Sequence, residues 1–361
     1  MSPGGEGVLK PELPRVPAQG GAPPAAHAPG GSPSAGEALA GYLHARAGEF
    51  LRGLRLHGES GADTAGAAEA ARALRTASRR ISGTLHTFRP MLDPVWADGL
   101  RAELTWLATT LAQEHACVSR LNRLVAALTR LSGAAGASGG AGSAAGGGGK
   151  AEARGPLGMG AARAGALLER QLTLGRTRSH SAALQALGSA RFHAVADAVA
   201  LLASERPPAP AFPPPPADAV TEAVRRRLLD AAAGLPLARA GRPYNADALV
   251  HGLTASAEEA QDAPWHRVRS LLRLHRYALE VTGPEPDPVL AGAGRLLDRH
   301  RDASEAATTA AVAARTPRIA PATAYVLGVL HADQRHEVEA ARFAFQEIWQ
   351  TAAGAPTGGG R

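Results

Sequence analysis

Residues 265–280, WHRVRSLLRLHRYALE, place His266, Arg269, Arg273 and Arg276 where one narrow face of a helix would carry them. Val268, Leu271, Leu272 and Leu279 fall on the opposite face. At a rise of roughly 1.5 Å per residue the four basic groups span about 15 Å, with neighbours about one turn apart. Residues 72–86, RALRTASRRISGTLH, repeat the construction. Arg72, Arg75 and Arg79 reproduce the spacing of His266, Arg269 and Arg273, and Leu74, Ile81 and Leu85 make the apolar side. Guanidinium groups recognise phosphate or carboxylate through planar, bidentate, charge-assisted hydrogen bonds. A ladder of them is chemistry for an extended anion. For a single ladder the plain alternative is a solvated helix face. Two ladders with matching spacing favour binding.

Other basic residues are weaker candidates for the same wall. Arg299 and Arg301 flank the region of Asp302, and Arg163 and Arg170 share one face of a predicted helix. Glu280 and Asp302 are candidates to pin arginines by pairing, with ordinary surface acids as the alternative. Trp265 and Tyr277 flank the second ladder, with packing at the helix ends as the expected role and ligand contact as the alternative. His266 is expected to donate to the anion, with a charge that rises as pH falls through ~6.5. His275, on the apolar face, is expected to be a hydrogen-bonded core residue.

The same residues argue against metal chemistry. His266 and His275 lie on opposite faces, His331 and His336 are five apart rather than four, and no carboxylate cluster completes a site. No metal or cofactor is therefore expected. Nor is catalysis: the chain shows no GxSxG nucleophile elbow, no HExxH and no GxxxxGK[ST] motif. A hydrolase working through metal-bound water would need clustered carboxylates.

The ladders must be positioned by helices, and the rest of the chain supplies them. Residues 1–35, rich in Pro, Gly, Ala and Ser, are expected to be disordered. A first helix is expected over 37–56, with Leu39, Tyr42, Leu43, Phe50 and Leu51 as its apolar set. The first basic helix follows at about 66–88, closed by Pro90. A long helix runs from Asp93-Pro94 to about Leu131, with Leu100, Leu104, Leu107, Leu111 and Val118 at helical intervals. Residues 132–160 read as a flexible Gly/Ala/Ser linker. Helices resume over about 161–203, broken near Gly188-Ser189, and residues 207–216 form a stiff proline-rich connector. Further helices are expected at 218–233, 245–259, 264–282, 286–314 and 320–350, with a disordered tail over 352–361. Strand alternation is absent, so the class is all-α. The connector separates two halves, 37–204 and 218–351, each with about four helices and one ladder.

The 361 residues suffice for two or three domain-sized units. The net charge of +7 points to an anionic partner, and arginine carries it, since Lys10 and Lys150 are the only lysines. The single cysteine, Cys117, excludes an intramolecular disulfide framework and is expected to be a small buried hydrophobe. The first 35 residues do not resemble a signal peptide. No run approaches the ~18–20 apolar residues of a membrane span, so a soluble cytoplasmic protein without membrane contact is expected.

The ladders resemble the signature of the CHAD domain, the conserved histidine α-helical domain, whose halves each open near H-x-x-R-x-x-x-[RK]-x-x-R. The second half keeps it as His266, Arg269, Arg273 and Arg276, followed by a matching Tyr277-Ala-Leu-Glu280. The first half keeps Arg75, Arg79 and Arg80, but Arg72 stands where the family usually has histidine and Ser82 where another arginine is common. Leu85-His-Thr-Phe-Arg-Pro and Trp106-Leu-Ala-Thr-Thr-Leu are similar to the family's sequence after the first ladder. Where the family continues into an Arg-Asp pair, this chain has His115-Ala116, whereas the equivalent place in the second half keeps Asp302. Residues 328–349 resemble the closing helix pair. The likeness spans about 37–351. The triphosphate-cleaving CYTH domain often joined to CHAD carries ExExK on a strand; here the only ExE is Glu337-Val-Glu339, on a helix and without the lysine.

This resemblance implies two four-helix bundles related by pseudo-twofold symmetry, a basic groove between or across them, and binding of inorganic polyphosphate, often with localisation to polyphosphate granules. It adds Arg80 and His115 to the weaker candidates. The expected protein is a non-catalytic polyphosphate binder whose clamps are Arg72, Arg75, Arg79, His266, Arg269, Arg273 and Arg276, with other polyanions as further candidate partners. The rivals are a nucleic-acid binder using the same stripes, a phosphotransfer or phosphatase enzyme, and a scaffold whose site has degraded at Arg72, Ser82 and Ala116. Scarce aromatics, 4% of the chain, argue against single-strand stacking.

Overall fold

The helix starts are written in capping side chains. A computed structural model describes residues 34–61, 63–138, 156–241, 255–283, 285 and 287–354. Helix α1 (Ala35–Ser60) opens on a capping box, with Glu37 N donating to Ser34 Oγ at 3.3 Å and Ser34 N donating to Glu37 Oε2 at 2.8 Å. Asp63 caps α2 (Thr64–Thr87) by accepting from Ala65 N and Gly66 N. Pro90 then sits in a single 3-10 turn, Arg89–Met91, which redirects the chain. Asp93 accepts from Trp96 N at 2.7 Å at the head of α3 (Pro94–Ser138). After α4 (Pro156–Leu187), Ser189 caps α5 (Ala190–Ser204) at the expected break.

The irregular connector follows, tied back by Asp93 N donating to Pro208 O at 3.0 Å. Helix α6 (Ala217–Ala233) leads through the one-turn α7 (Leu237–Ala240) to α8 (Ala255–Thr282). Asp287 caps α9 (Pro288–Ala314), and α10 (Pro321–Gly354) closes the described chain. Every element is helical and no strand occurs among the described residues, in accord with the all-α reading. No single described helix is long and apolar enough to cross a membrane.

Several expected boundaries move. Helix α3 continues to Ser138 and α4 begins at Pro156, so both ends of the expected 132–160 linker are helical; alanine sustains a helix once it is nucleated. Its middle, 139–155, lies outside the described residues, as do residues 1–33 and 355–361 of the expected tails. The break expected between 259 and 264 is absent: α8 runs through Pro264. Proline forfeits the bond to the Ala260 carbonyl, but this turn is anchored by the buried Asp262. Its carboxylate receives Arg335 Nη1 at 2.8 Å, Arg342 Nη2 at 2.5 Å and the hydroxyl of Ser304. The rest of the helix expected at 245–259 falls largely outside the described residues.

Three hydrophobic clusters hold the helices. The first joins α1, α2, α3 and α5 through Leu43, Phe50, Leu74, Ile81, Leu85, Leu104 and Val199, and takes in Ala217 and Val220 of α6 and Ala278 and Val281 of α8. The second joins Leu124 and Leu128 of α3 and Leu168 of α4 to Ala306 and Ala310 of α9 and Leu327 of α10. The third sits under α8, around Trp265, Val268, Leu272, Leu297 and Phe345. Two of the three draw side chains from both sides of the proline-rich connector. That sharing brings α2 and α8 side by side.

Candidate anion-binding site

Leu74, Ile81 and Leu85 are fully buried in the first cluster, and Val268 and Leu272 in the third. The other faces of α2 and α8 therefore turn away from their cores, and they turn towards each other. Arg75 and Arg79 of α2 and Arg269 and Arg273 of α8 line one open cavity of about 500 Å³. Helices α3 and α9 complete its walls. A smaller recess of about 280 Å³ adjoins it, sharing Arg79, Arg269, Arg273, Arg301 and Asp302 and adding Thr76, Tyr277 and Asp298.

Of the remaining candidates, Arg301 and His115 also line the cavity. Arg72 is exposed one turn before Arg75, outside the lining, but close enough to add to the positive field on Arg75 and His115. His266 does not face the cavity: its ring packs edge-on against the buried His300, with centroids 5.5 Å apart. Burial, against the opposing pull of Asp262, holds its pKa below the usual histidine value, so the expected cationic donor is a half-buried neutral ring. Arg276 is turned to the flank, with Nη1 against Gly294 of α9. Arg80 lies between Glu280 at 3.6 Å and Glu49 at 3.9 Å, and Arg299 is bound by Glu337 at 2.7 Å. Arg163 and Arg170 are exposed on α4 and line neither cavity.

The supporting residues sort in the same way. Glu280 and Asp302 both pin arginines, Arg80 and Arg301 respectively, and Tyr42 Oη donates to Glu280 at 2.7 Å. Trp265 is wholly buried, stacked on His300. His275 is buried, but its Nδ1 has no hydrogen-bond partner among the described residues, contrary to the expected bonded core histidine. Cys117 is half-buried beside Gly175 rather than fully buried. Among the described residues no three His, Cys, Asp or Glu side chains are grouped to hold a metal ion.

Arg120 and Arg123 of α3 line the cavity and are not among the residues that ladder spacing picks out. A signal for them exists. Thr105, Ala108, Ala112, Ala116, Ser119 and Arg123 recur at three- and four-residue intervals beside the leucine stripe of α3, which is the pattern of a helix face left open by small side chains. Ser82, His115 and Ala116, where this chain departs from the pattern it resembles, all line the same cavity.

The charge is uneven. Seven arginines line the main cavity, against the carboxylates of Asp302 and Glu305. Arg301 contacts both acids, and Arg120 reaches Glu305 at 2.9 Å. Arg269 Nε donates to Asp298 Oδ1 at 2.5 Å, and Arg273 lies 3.6 Å from the same oxygen. Arg75 and Arg79 pair with no acid among the described residues. Burial, then the neighbouring Arg79 and Arg72, pushes the Arg75 pKa down. Burial with Arg269 and Arg79 brings Arg273 down to about 10. Such crowding of half-desolvated cations is relieved by a bound anion, which supplies the missing counter-charge and accepts their hydrogen bonds.

A family model of the CHAD domain matches residues 45–291, a span that takes in α2, α3, α8 and the start of α9. The solved structure of PptA from Streptomyces chartreusis is 56% identical, with a TM-score of 0.73, covering 88% of this chain and 100% of that one. No curated protein matches the chain. With its two arginine-bearing helices facing one cavity and more than half its length within the family match, the chain belongs to the CHAD domain family.

Proposed function

We propose that the cavity binds inorganic polyphosphate without cleaving it, Arg75, Arg79, Arg269 and Arg273 acting as the principal clamps and Arg120, Arg123 and Arg301 extending them. One observation carries the reading: two arginine pairs from helices far apart in sequence meet across one open cavity, and one of the pairs lacks counter-ions among the described residues. The CHAD family is associated with polyphosphate binding, which selects this ligand among linear anions. A polymer bearing about one charge per phosphate can engage the α2 and α8 walls together. The carboxylates that line the cavity, Asp302 and Glu305, are engaged by Arg301 and Arg120 rather than free to hold a metal-bound water, which supports retention over hydrolysis. The protein is placed by this reading in the cytoplasm, at polyphosphate granules, with other polyanions as weaker competitors.

The test is titration with medium-chain polyphosphate at two salt concentrations, with duplex DNA as competitor at equal phosphate concentration. Binding is expected to weaken as salt rises, by analogy with other polyanions, and DNA is expected to displace little. Binding indifferent to salt, or lost to DNA, overturns the assignment. Release of phosphate on incubation with polyphosphate and a divalent metal would overturn the non-catalytic part.

A further inference from the structure

Helix α9 carries Asp298, Asp302 and Glu305 at successive turns, a line of carboxylates about 10 Å long at the helical rise. Each meets an arginine of the cavity: Asp298 meets Arg269 and Arg273, Asp302 meets Arg301, and Glu305 meets Arg301 and Arg120. In spacing and charge the row stands where a bound anion would stand. The opposite wall has no equivalent: Arg75 and Arg79 have no acid among the described residues. The two walls are therefore unequally available to a ligand.

Within the row, Asp298 differs from the other two. Its side chain is 54% exposed, while that of Arg269, which it contacts at 2.5 Å, is only 12% exposed. The carboxylate can turn into water at little cost, whereas the guanidinium is fixed in the wall. We infer that Asp298 is a built-in competitor for the ligand: it occupies the Arg269/Arg273 clamp in the empty protein, and a polyanion must displace it. This rests on the polyphosphate reading above and adds an order to it. Phosphates settle first on the unpaired Arg75 and Arg79, and neighbouring phosphates of the same chain then take Arg269 and Arg273 from Asp298. The device favours linked phosphates, whose second contact is made at high effective concentration, over single ones.

The experiment compares medium-chain polyphosphate affinity in the full chain, in Asp298→Asn and in Glu222→Gln, which removes one negative charge from the exposed surface of α6 away from both cavities. Asp298→Asn is expected to bind roughly three- to tenfold tighter, the scale of a charge-assisted contact that is half exposed, and Glu222→Gln to bind as the parent does. In an Arg269→Ala/Arg273→Ala background, Asp298→Asn is expected to give no gain, because the clamp it releases is gone. Unchanged or weaker affinity in a folded Asp298→Asn, an equal gain in Glu222→Gln, or a gain that survives loss of both arginines would each overturn the competitor role. If the parent chain binds polyphosphate with the expected salt dependence while Asp298→Asn changes nothing, only this inference falls. If neither binds, the functional reading falls with it.

Discussion

Gly83 of α2 lies so close to Tyr277 of α8 that a Cβ at position 83 would stand 2.7 Å from Tyr277 Cδ2 and 3.0 Å from Cε2. Arg79 and Arg273 sit one turn before these two residues, so the depth of this crossing sets how near the two clamps come. Gly83→Ala is expected to force the helices apart, at a cost of about 1–3 kcal/mol from overpacking, and to weaken polyphosphate binding as well. Tyr277→Ala in the same chain should recover most of the lost stability by removing the ring that clashes. Urea unfolding midpoints of the two single variants and the double variant check this, and additive losses would contradict it.

Charge reversal separates the walls. Arg75→Glu/Arg79→Glu should lower polyphosphate affinity by roughly a hundredfold, since a hydrogen bond to a charged group is worth about 1.5–3 kcal/mol. Arg269→Glu/Arg273→Glu should cost less, roughly tenfold, because Asp298 already offsets that pair in the free protein. Arg163→Glu/Arg170→Glu, on the exposed face of α4, should change affinity little. The salt dependence of binding should flatten in the first two variants and not in the third. Titrations at two ionic strengths read all three.

The sequence made the ladders' orientation legible because each shares its helix with an apolar stripe, and Leu74, Ile81, Val268 and Leu272 are indeed buried. It did not disclose which rungs would reach the cavity. His266 and Arg276 satisfy the same periodicity as Arg269 and Arg273, yet His300 covers one and Gly294 of α9 receives the other. Both outcomes depend on where α9 crosses α8, and helical spacing holds no information on that. The counter-ions were hidden for the same reason, since Asp298 meets Arg269 only through that crossing. Arg123 escapes when α3 is judged by its leucines alone, although its small-residue face is visible in the sequence.

His115 is expected to give the proposed binding a pH dependence. It lines the cavity, and burial, then Arg75 and Arg72, hold its pKa below the usual value of 6.5. In the free protein it is mostly neutral at pH 7. A polyanion in the cavity favours the protonated ring, so affinity should rise as pH falls from about 7.5 to about 5.5. In His115→Ala that rise should shrink, while affinity at pH 8 stays near the parent value. Titrations across this range provide the test, and an unaltered pH profile in the variant would remove His115 from the site.

Stability should move the opposite way with pH. His300 is buried between Trp265 and His266, and burial, then Arg342, brings its pKa down to about 3. An unfolded chain protonates this imidazole near 6.5. Between those two values the unfolded state binds the extra proton, so stability falls as pH drops from about 6.5 towards 3. Asp262 adds a second loss at lower pH. Burial alone would raise its pKa, but Arg335, Ser304 and Arg342 together hold it below the usual carboxylate value. The stability it contributes is present above the unfolded carboxylate pKa, ~3.9, and disappears as pH falls through its depressed folded value. Melting temperature should therefore decline from pH 7 to pH 5, before carboxylates titrate. The decline should be shallower in His300→Gln even if that variant melts lower throughout, because a glutamine has no proton to gain. Over the same range polyphosphate binding is expected to tighten, so the bound protein should show a flatter melting profile than the free one. Parallel profiles for parent and His300→Gln would mean that another buried group sets the acid sensitivity of the fold.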